Sequence, residues 1–412
     1  MYLLSAFLKK LIQKGTLNVI DASGRRHSFV GTPAPEVTIR LHTRDLYWRL
    51  AFKPEVEAGE AYMDGRLTIE EGKNIVDFLD LALRNMAWHP DSIFHKKAVG
   101  PKKMWRWISQ FNPVSRSVKN VAHHYDLSRR LYDLFLDVDR QYSCAYFASP
   151  NDTLDEAQLH KKTHIAAKLL LKPEQKVLDI GCGWGGMGLY LNKVSNANVT
   201  GITLSREQLA FAEERVQKEG VQGRVQFRLQ DYRLVTEKFD RIVSVGMFEH
   251  VGVPQYATFF RKIFELLEDD GVALLHTIGR GDGPGDTNAW MTKYIFPGGY
   301  SPSLSEITAQ IERAGLYITD IEVLRLHYAK TLREWFDRVQ QNRAEIIALY
   351  DERFLRMWEF YLAASEMTFR YLGHVVYQIQ LAKQVDTVPL TRDYIVDWER
   401  AIREKAALKQ VG

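Results

Sequence analysis

The residues best placed to do chemistry are Asp179, Gly181, Gly183, Gly185 and Gly186, within KVLDIGCGWGGMGLY from Lys176 to Tyr190, where Cys182 reads as a small residue that fits beside the loop. Val177, Leu178 and Ile180 form a short apolar run suited to a buried strand. The glycines break it, and Met187 to Asn192 can open a helix. Strand, glycine turn and helix place bare backbone at the strand's carboxyl end, where a ligand can approach. The same geometry serves a dinucleotide, or simply packs a helix on a sheet. A nicotinamide site also needs an acidic residue about twenty positions further on to hold the ribose. Here the second strand ends in Gly201, Ile202, Thr203, Leu204 and Ser205, without an acid. S-adenosylmethionine (SAM) carries no phosphate; it needs close backbone approach and polar groups for an amino-acid moiety. Asp179 with the glycine loop fits that demand better. Asp231, in the exit Gln230-Asp231-Tyr232 of the third strand, can meet an adenine amino group, and Thr203 to Gln208 must supply the ribose contacts.

The elements that position these residues alternate regularly. Asn198 to Leu204 reads as a strand, and Ser205 caps a helix with Gln208 at the capping-box position. Val225 to Leu229, Phe239 to Gly246 and Gly271 to Thr277 follow as strands; Tyr317 to Leu326 and Val375 to Leu381 are strand-compatible. Alternation of this kind implies a parallel sheet with right-handed crossovers. Ahead of it, Thr153 and Glu156 make a capping box for a helix running to about Leu171. His160 and His164 lie one turn apart on it, read as a polar face; with no third ligand in view, no metal site is expected. The first ninety residues read as a small α+β domain. Leu17 to Ile20, Val37 to Leu41 and Leu46 to Phe52 look strand-like, Pro54 breaks the last, and Asn74 to Leu83 has helical spacing.

At 412 residues the chain exceeds one ordinary core, and two domains are expected. We divide it into an amino-terminal domain (1–90), a linker (91–120), the larger α/β domain (121–390) and a helical tail (391–412). A net charge of +4 does not by itself argue for nucleic acid, and no nucleic-acid motif is present. Between Ser92 and Tyr125 there is no acidic residue, while Lys96, Lys97, Lys102, Lys103, Arg106, Arg116 and Lys119 interleave with Trp105 and Trp107. That segment is either a solvated connector or a contact for an anionic membrane surface. Two cysteines, Cys144 and Cys182, fit a reducing compartment. The opening MYLLSAFLKKLIQKG reads as an amphipathic helix, too short and charged to span a bilayer.

Further stretches carry a specific resemblance: HHYDLS (123–128), QYSCAYF (141–147), GITLSREQ (201–208), DRIVSVGMFEHVG (240–252), LLHTIG (274–279), YIFPGG (294–299), HYAKTLREW (327–335) and ERFLRMWEFYL (352–362). Together with the glycine loop, the chain resembles the cyclopropane-fatty-acyl-phospholipid synthases and their mycolic-acid relatives over roughly residues 120 to 380. The first ninety residues look like the lipid-associated domain of the bacterial synthases. The resemblance implies a Rossmann-like sheet of the class I SAM-dependent methyltransferase type. It also implies methylene transfer from SAM to a cis double bond of a membrane phospholipid acyl chain. A relative that leaves a methyl-branched or methylene-bearing chain is the alternative. By this resemblance Tyr142, Ser143, the loop from Gly181 through Gly183 and Gly185, Thr203, Leu204, Ser205, Gln208, Gln230, Asp231 and Tyr232 would line the SAM pocket. Cys144 and Ile278 (through their backbones), Glu249, His276 and Tyr328 would hold a bicarbonate ion near the reacting carbons. Aromatic faces such as those of Tyr142, Tyr146, Phe147 or Tyr328 would steady the carbocation. Many relatives carry cysteine where this chain has Ser365, so a thiol there is not part of its chemistry. A cytoplasmic enzyme at the inner-membrane surface is implied, with a homodimer among its possible forms.

Overall fold

In the computed structural model, residues 1–87 and 127–411 are described. The basic linker of residues 91–120 and the start of HHYDLS lie outside them. The chain forms two compact units, neither a single stretch of sequence. The first takes in residues 1–87, 285–297 and 329–374; the second 127–284, 298–328 and 375–411.

The first unit holds a mixed four-stranded sheet in the order β2-β1-β3-β4, from β1 (Lys14–Ile20), β2 (Arg26–Val30), β3 (Thr32–Leu41) and β4 (Leu67–Ile69). β1 runs antiparallel to β2 and parallel to β3. The expected amphipathic helix is Tyr2–Leu11, burying Leu4, Leu8 and Leu11 at helical spacing. Helix Ile75–Asn85 begins at Asn74, whose side chain accepts the Val76 amide while Asp77 completes a capping box. Leu46–Phe52, read as a strand, is a helix. Leu46 and Leu50, four residues apart and so on one helical face, are the pair that is buried.

The second unit is the α/β domain. β5 (Lys176–Ile180), β6 (Asn198–Thr203), β7 (Val225–Leu229), β8 (Phe239–Val245), β9 (Leu267–Arg280), β10 (Tyr317–Leu324) and β11 (His374–Ala382) form one sheet in the order β10-β11-β9-β8-β5-β6-β7. The pairs from β9 across to β7 are parallel, whereas β10 and β11 are antiparallel to each other. Successive β5 residues serve opposite faces: Leu178 and Ile180 belong to one apolar cluster, Val177 to another. Both faces are thus covered, which explains the near-continuous apolar strands. Each large side chain so buried contributes about 1.5–3 kcal/mol. From β5 the chain winds outward through β6 and β7, then returns to β8 on the other side. The crevice at that reversal is where such sheets hold ligands.

Three glycines of this region make a socket for one ring. An added Cβ would lie 2.4 Å from Phe227 Cδ1 at Gly201, 2.8 Å from its Cζ at Gly185, and 3.4 Å from its Cε1 at Gly188. Phe227, on β7, thereby reaches under both the second strand and the helix that follows the loop. Gly201→Ala should therefore destabilise the protein by about 1–3 kcal/mol through overpacking. It should also raise the Kd for SAM, because the displaced ring pushes on the glycine loop. Urea unfolding and calorimetry with SAM check both effects.

Candidate active site

The crevice is a pocket at the carboxyl ends of β5, β6, β7 and β8. Its floor is the β5 end: Asp179, Ile180 and the loop through Trp184. Gly181, Gly183 and Gly185 have φ of 83°, 52° and 82°, the left-handed region in which side chains are strained. Of the residues expected around SAM, Asp179, Gly181, Gly183, Thr203, Leu204 and Gln208 line it. Gln230, Asp231, Tyr232, Tyr142 and Ser143 line it as well. Gly185 and Ser205 do not. Gly185 leaves room for Phe227, and the Ser205 hydroxyl accepts the Gln208 amide (3.3 Å) as the cap of helix Arg206–Glu219.

Asp179 is a fully buried carboxyl in the pocket. Burial pushes its carboxyl up to about 7, and Oδ2 has no hydrogen-bond partner. A buried carboxylate with a spare oxygen suits the ammonium of an amino-acid moiety. Asp231 is held differently. Arg233 forks onto it through Nε (2.8 Å) and Nη2 (2.7 Å), and the Arg233 amide donates to Oδ1 (2.9 Å). The fork fixes the carboxylate and leaves lone pairs for a further donor. Tyr142 and Trp184 both pack on Tyr132, at 5.7 Å and 5.8 Å between centroids, and give the pocket an aromatic wall.

Sequence reasoning missed what supports the Tyr142–Cys144 segment. Helix Leu154–Lys168 carries Gln158, Lys161, His164 and Lys168 along one buried stripe. The Gln158 amide donates to the carbonyls of Gln141 (3.2 Å) and Ser143 (3.0 Å). Lys161, with no exposed surface, donates to Gln141 Oε1 (2.7 Å) and Ser143 Oγ (2.8 Å). Burial brings its ammonium down to about 7, against the opposing pull of Asp137. His164 does not lie on a solvated face. It is buried between Glu399 (2.6 Å) and Glu322 (2.7 Å), and it stacks on Tyr146 at 4.3 Å. His160 pairs with Asp152 at 3.1 Å. The available signal was polar residues recurring at three- and four-residue steps, which reads the same whether the face meets water or a buried network.

The remaining candidates lie behind the pocket or on segments adjoining it. Glu249 sits in the short turn Phe248–His250 after β8, flanked by the pocket residues Met247 and His250. Its Oε1 accepts the Ile278 amide at 2.5 Å, and its buried Oε2 has no hydrogen-bond partner. The Thr277 hydroxyl favours the anion weakly but donates to the Ile278 carbonyl (3.0 Å). Burial dominates and raises the Glu249 carboxyl to about 7. His276 is paired in register with Val245 of the pocket wall, and its carbonyl accepts the Gly246 amide (2.9 Å). Its imidazole is buried, held neutral by desolvation, with Nε2 unpartnered. Cys144 is buried next to Ser143. Tyr328 is buried at the start of helix His327–Gln341, beside His327, whose Nδ1 accepts the Phe147 amide (3.0 Å). Tyr146, expected to offer a face to a cation, is instead stacked with His164 and with His327 (4.9 Å).

Comparison with known proteins identifies the family and the fold. The family described as mycolic acid cyclopropane synthetase matches residues 113–379. The chain is 37% identical over 357 residues to the cyclopropane-fatty-acyl-phospholipid synthase of Escherichia coli K12, covering 84% of this chain and 88% of that one. It is also 37% identical over 345 residues to a probable fatty acid methyltransferase of Pseudomonas putida, covering 82% and 84%. Among solved structures, mycolic acid cyclopropane synthase CmaA1 complexed with SAH and CTAB is 34% identical, with a TM-score of 0.62. That match spans 66% of this chain and 99% of that one.

Asp179→Asn keeps the side-chain volume and removes the charge. It should weaken SAM binding at least about tenfold, the scale of one charge-assisted hydrogen bond. Titration calorimetry on the folded variant measures the loss.

Proposed function

Since the chain belongs to the mycolic acid cyclopropane synthetase family of SAM-dependent lipid methyltransferases, we propose that it adds the methyl carbon of SAM across a cis double bond of a phospholipid acyl chain and closes a cyclopropane ring. The observation that carries this reading is two buried atoms behind the SAM pocket, Glu249 Oε2 and His276 Nε2, each without a hydrogen-bond partner among the described residues.

An alkene is a weak nucleophile, so the protein's first task is to hold the reactants in line and dry. The glycine loop and Asp179 fit the amino-acid end of SAM, and Asp231 fits its adenine. SAM supplies an electrophilic methyl: its carbon–sulfur bond breaks as a carbon–carbon bond forms, leaving a carbocation on the chain. Tyr142, one of the rings lining the pocket, can steady this charge, worth about 1–2 kcal/mol when desolvated. Loss of a proton from the added carbon closes the ring; a hydride shift along the chain before that loss leaves a methylene branch, and loss from a neighbouring chain carbon leaves a methyl-branched alkene. Glu249 and His276 fit a small oxyanion bearing one proton, the carboxylate accepting its O–H and the imidazole donating to its oxygen. Bicarbonate bound there would supply the acceptor for the departing proton. The Ile278 amide fixes the Glu249 carboxylate, and Cys144 and Tyr328 complete the proposed set.

We extend the proposal to the membrane surface. In the first unit, Tyr2 (86%) and Leu3 (51%) of helix Tyr2–Leu11 and Trp48 (55%) and Phe52 (68%) of helix Leu46–Phe52 are exposed. The two helices pack together, and Lys9 and Lys10 lie two turns beyond Tyr2 and Leu3. Exposed aromatic side chains next to lysines suit the interface of an anionic bilayer. No described helix is long and apolar enough to cross a membrane.

Incubating the protein with methyl-labelled SAM and vesicles of monounsaturated phospholipid should place label in a cyclopropane acyl chain. Label in a methyl-branched chain instead would favour the alternative suggested by the Pseudomonas relative's name, and none in lipid would reject both. Glu249→Gln should retain SAM affinity and lose about 10²-fold or more in turnover. A fall in SAM affinity with turnover intact would contradict its role. Trp48→Ser with Phe52→Ser should reduce co-sedimentation with anionic vesicles while leaving SAM binding untouched.

A further inference from the structure

His276 has a fixed direction of hydrogen bonding, and its cause lies two residues away from it in space. Lys168, on helix Leu154–Lys168, and Gln378, on β11, have no exposed surface. Lys168 Nζ pairs with Glu322 and donates to Gln378 Oε1 at 2.9 Å. An ammonium has no lone pair, so the oxygen of the Gln378 amide must face it. The amide NH2 is thereby turned the other way, toward His276 Nδ1 at 3.2 Å. An NH2 group only donates. Nδ1 must therefore accept, and a neutral imidazole with an unprotonated Nδ1 carries its single proton on Nε2. A protonated ring would set two donors against each other at Nδ1.

We infer that Gln378, oriented by Lys168, is a positioning residue that holds His276 as the Nε2–H tautomer, so that this imidazole acts as a hydrogen-bond donor in the reaction and not as its base. This rests on the reading of Glu249 and His276 given above, and it narrows it. A ring with Nε2 already protonated has no lone pair there for the proton leaving the added carbon. It can hold an oxyanion in place while Glu249, whose Oε2 is the unpartnered oxygen opposite in character, accepts. The arrangement joins the helix that supports the Tyr142–Cys144 segment to the strand that carries His276, through one lysine and one amide. In metal sites too a partner on one ring nitrogen fixes the tautomer, though there the ring donates to it. Here the device is applied to a free imidazole.

The tautomer is set by protein atoms alone and can be measured without lipid or SAM, so its failure and a failure of cyclopropane formation are separate results. Full-length protein labelled with 15N-histidine, observed by long-range 1H–15N correlation, would give one signal set lost in His276→Asn. At neutral pH its Nδ1 should resonate in the unprotonated range and its Nε2 in the protonated range. Protonated Nδ1 in the unmodified protein would overturn the inference whatever the variants do. Gln378→Glu is nearly isosteric but offers Nδ1 an acceptor. It should invert the two resonances and lower turnover about 10²-fold, the scale of losing one aligned donor, with SAM affinity within twofold. Unchanged resonances in that variant would remove Gln378 from the role. Inverted resonances with full turnover would remove the donor role from His276.

Discussion

Two lysines without exposed surface, Lys161 and Lys168, set the terms for the rest of the catalytic unit. Burying an ammonium is costly unless it is paired and fully hydrogen-bonded. Each therefore dictates its neighbours. Lys161 demands acceptors and takes them from Gln141 and Ser143, which fixes the segment leading to Tyr142 and Cys144. Lys168 takes Glu322 and Gln378, and through Gln378 it reaches His276. One helix, seven residues from one lysine to the other, thus aligns two walls of a site that come from distant parts of the sequence. A core of purely apolar contacts would pack these walls without fixing which atoms donate and which accept.

The same logic explains why charge in the site is held near neutrality. Asp179 and Glu249 are both raised to about 7 by burial, Lys161 is lowered to about 7, and His276 is held neutral. Groups poised in this way accept or release a proton at little cost when a charged partner arrives. In the reading proposed here, Asp179 is the poised acid for SAM, which brings a sulfonium and an ammonium. For the proposed oxyanion it is Glu249, beside a neutral donor that neither repels nor neutralises it.

The sequence made the sheet legible and left the network hidden. Alternation of short apolar runs with capped helices was enough to locate β5 to β9, because both faces of those strands are buried and their composition says so. The glycine loop and Asp231 were readable for the same local reason: a turn with positive φ and an exit at the end of a strand. Gly185 shows where local reading stops. Its positive φ was consistent with a ligand loop, but its bare Cα makes room for Phe227, forty-two positions away in the chain. Leu46–Phe52 failed by another route, since seven residues rich in aromatics carry too little periodicity to separate strand from helix. The stripe Gln158, Lys161, His164 and Lys168 was illegible in principle. Polar residues at helical spacing normally mark the solvated face, and only tertiary contacts with the Gln141–Ser143 segment, β10, β11 and the tail helix turn that face inward.

That inversion also bears on what the carboxyl-terminal tail does. Glu399, on helix Asp393–Val411, supplies one of the two carboxylates that enclose His164. Between them they raise the imidazole's affinity for a proton against the cost of burial, and His164 is stacked on Tyr146. Tyr146 in turn stacks with His327, the residue before Tyr328. The tail therefore closes a line of contacts that runs from Glu399 through two imidazoles and a phenol ring to the helix start bearing Tyr328. Removing the Glu399 carboxylate leaves His164 with Glu322 alone, a carboxylate already paired with Lys168, and a buried group that loses one of its two partners is the less stable arrangement. The tail is thus bound to the site by electrostatics and not merely by packing, which is why its charged sequence belongs with the catalytic unit.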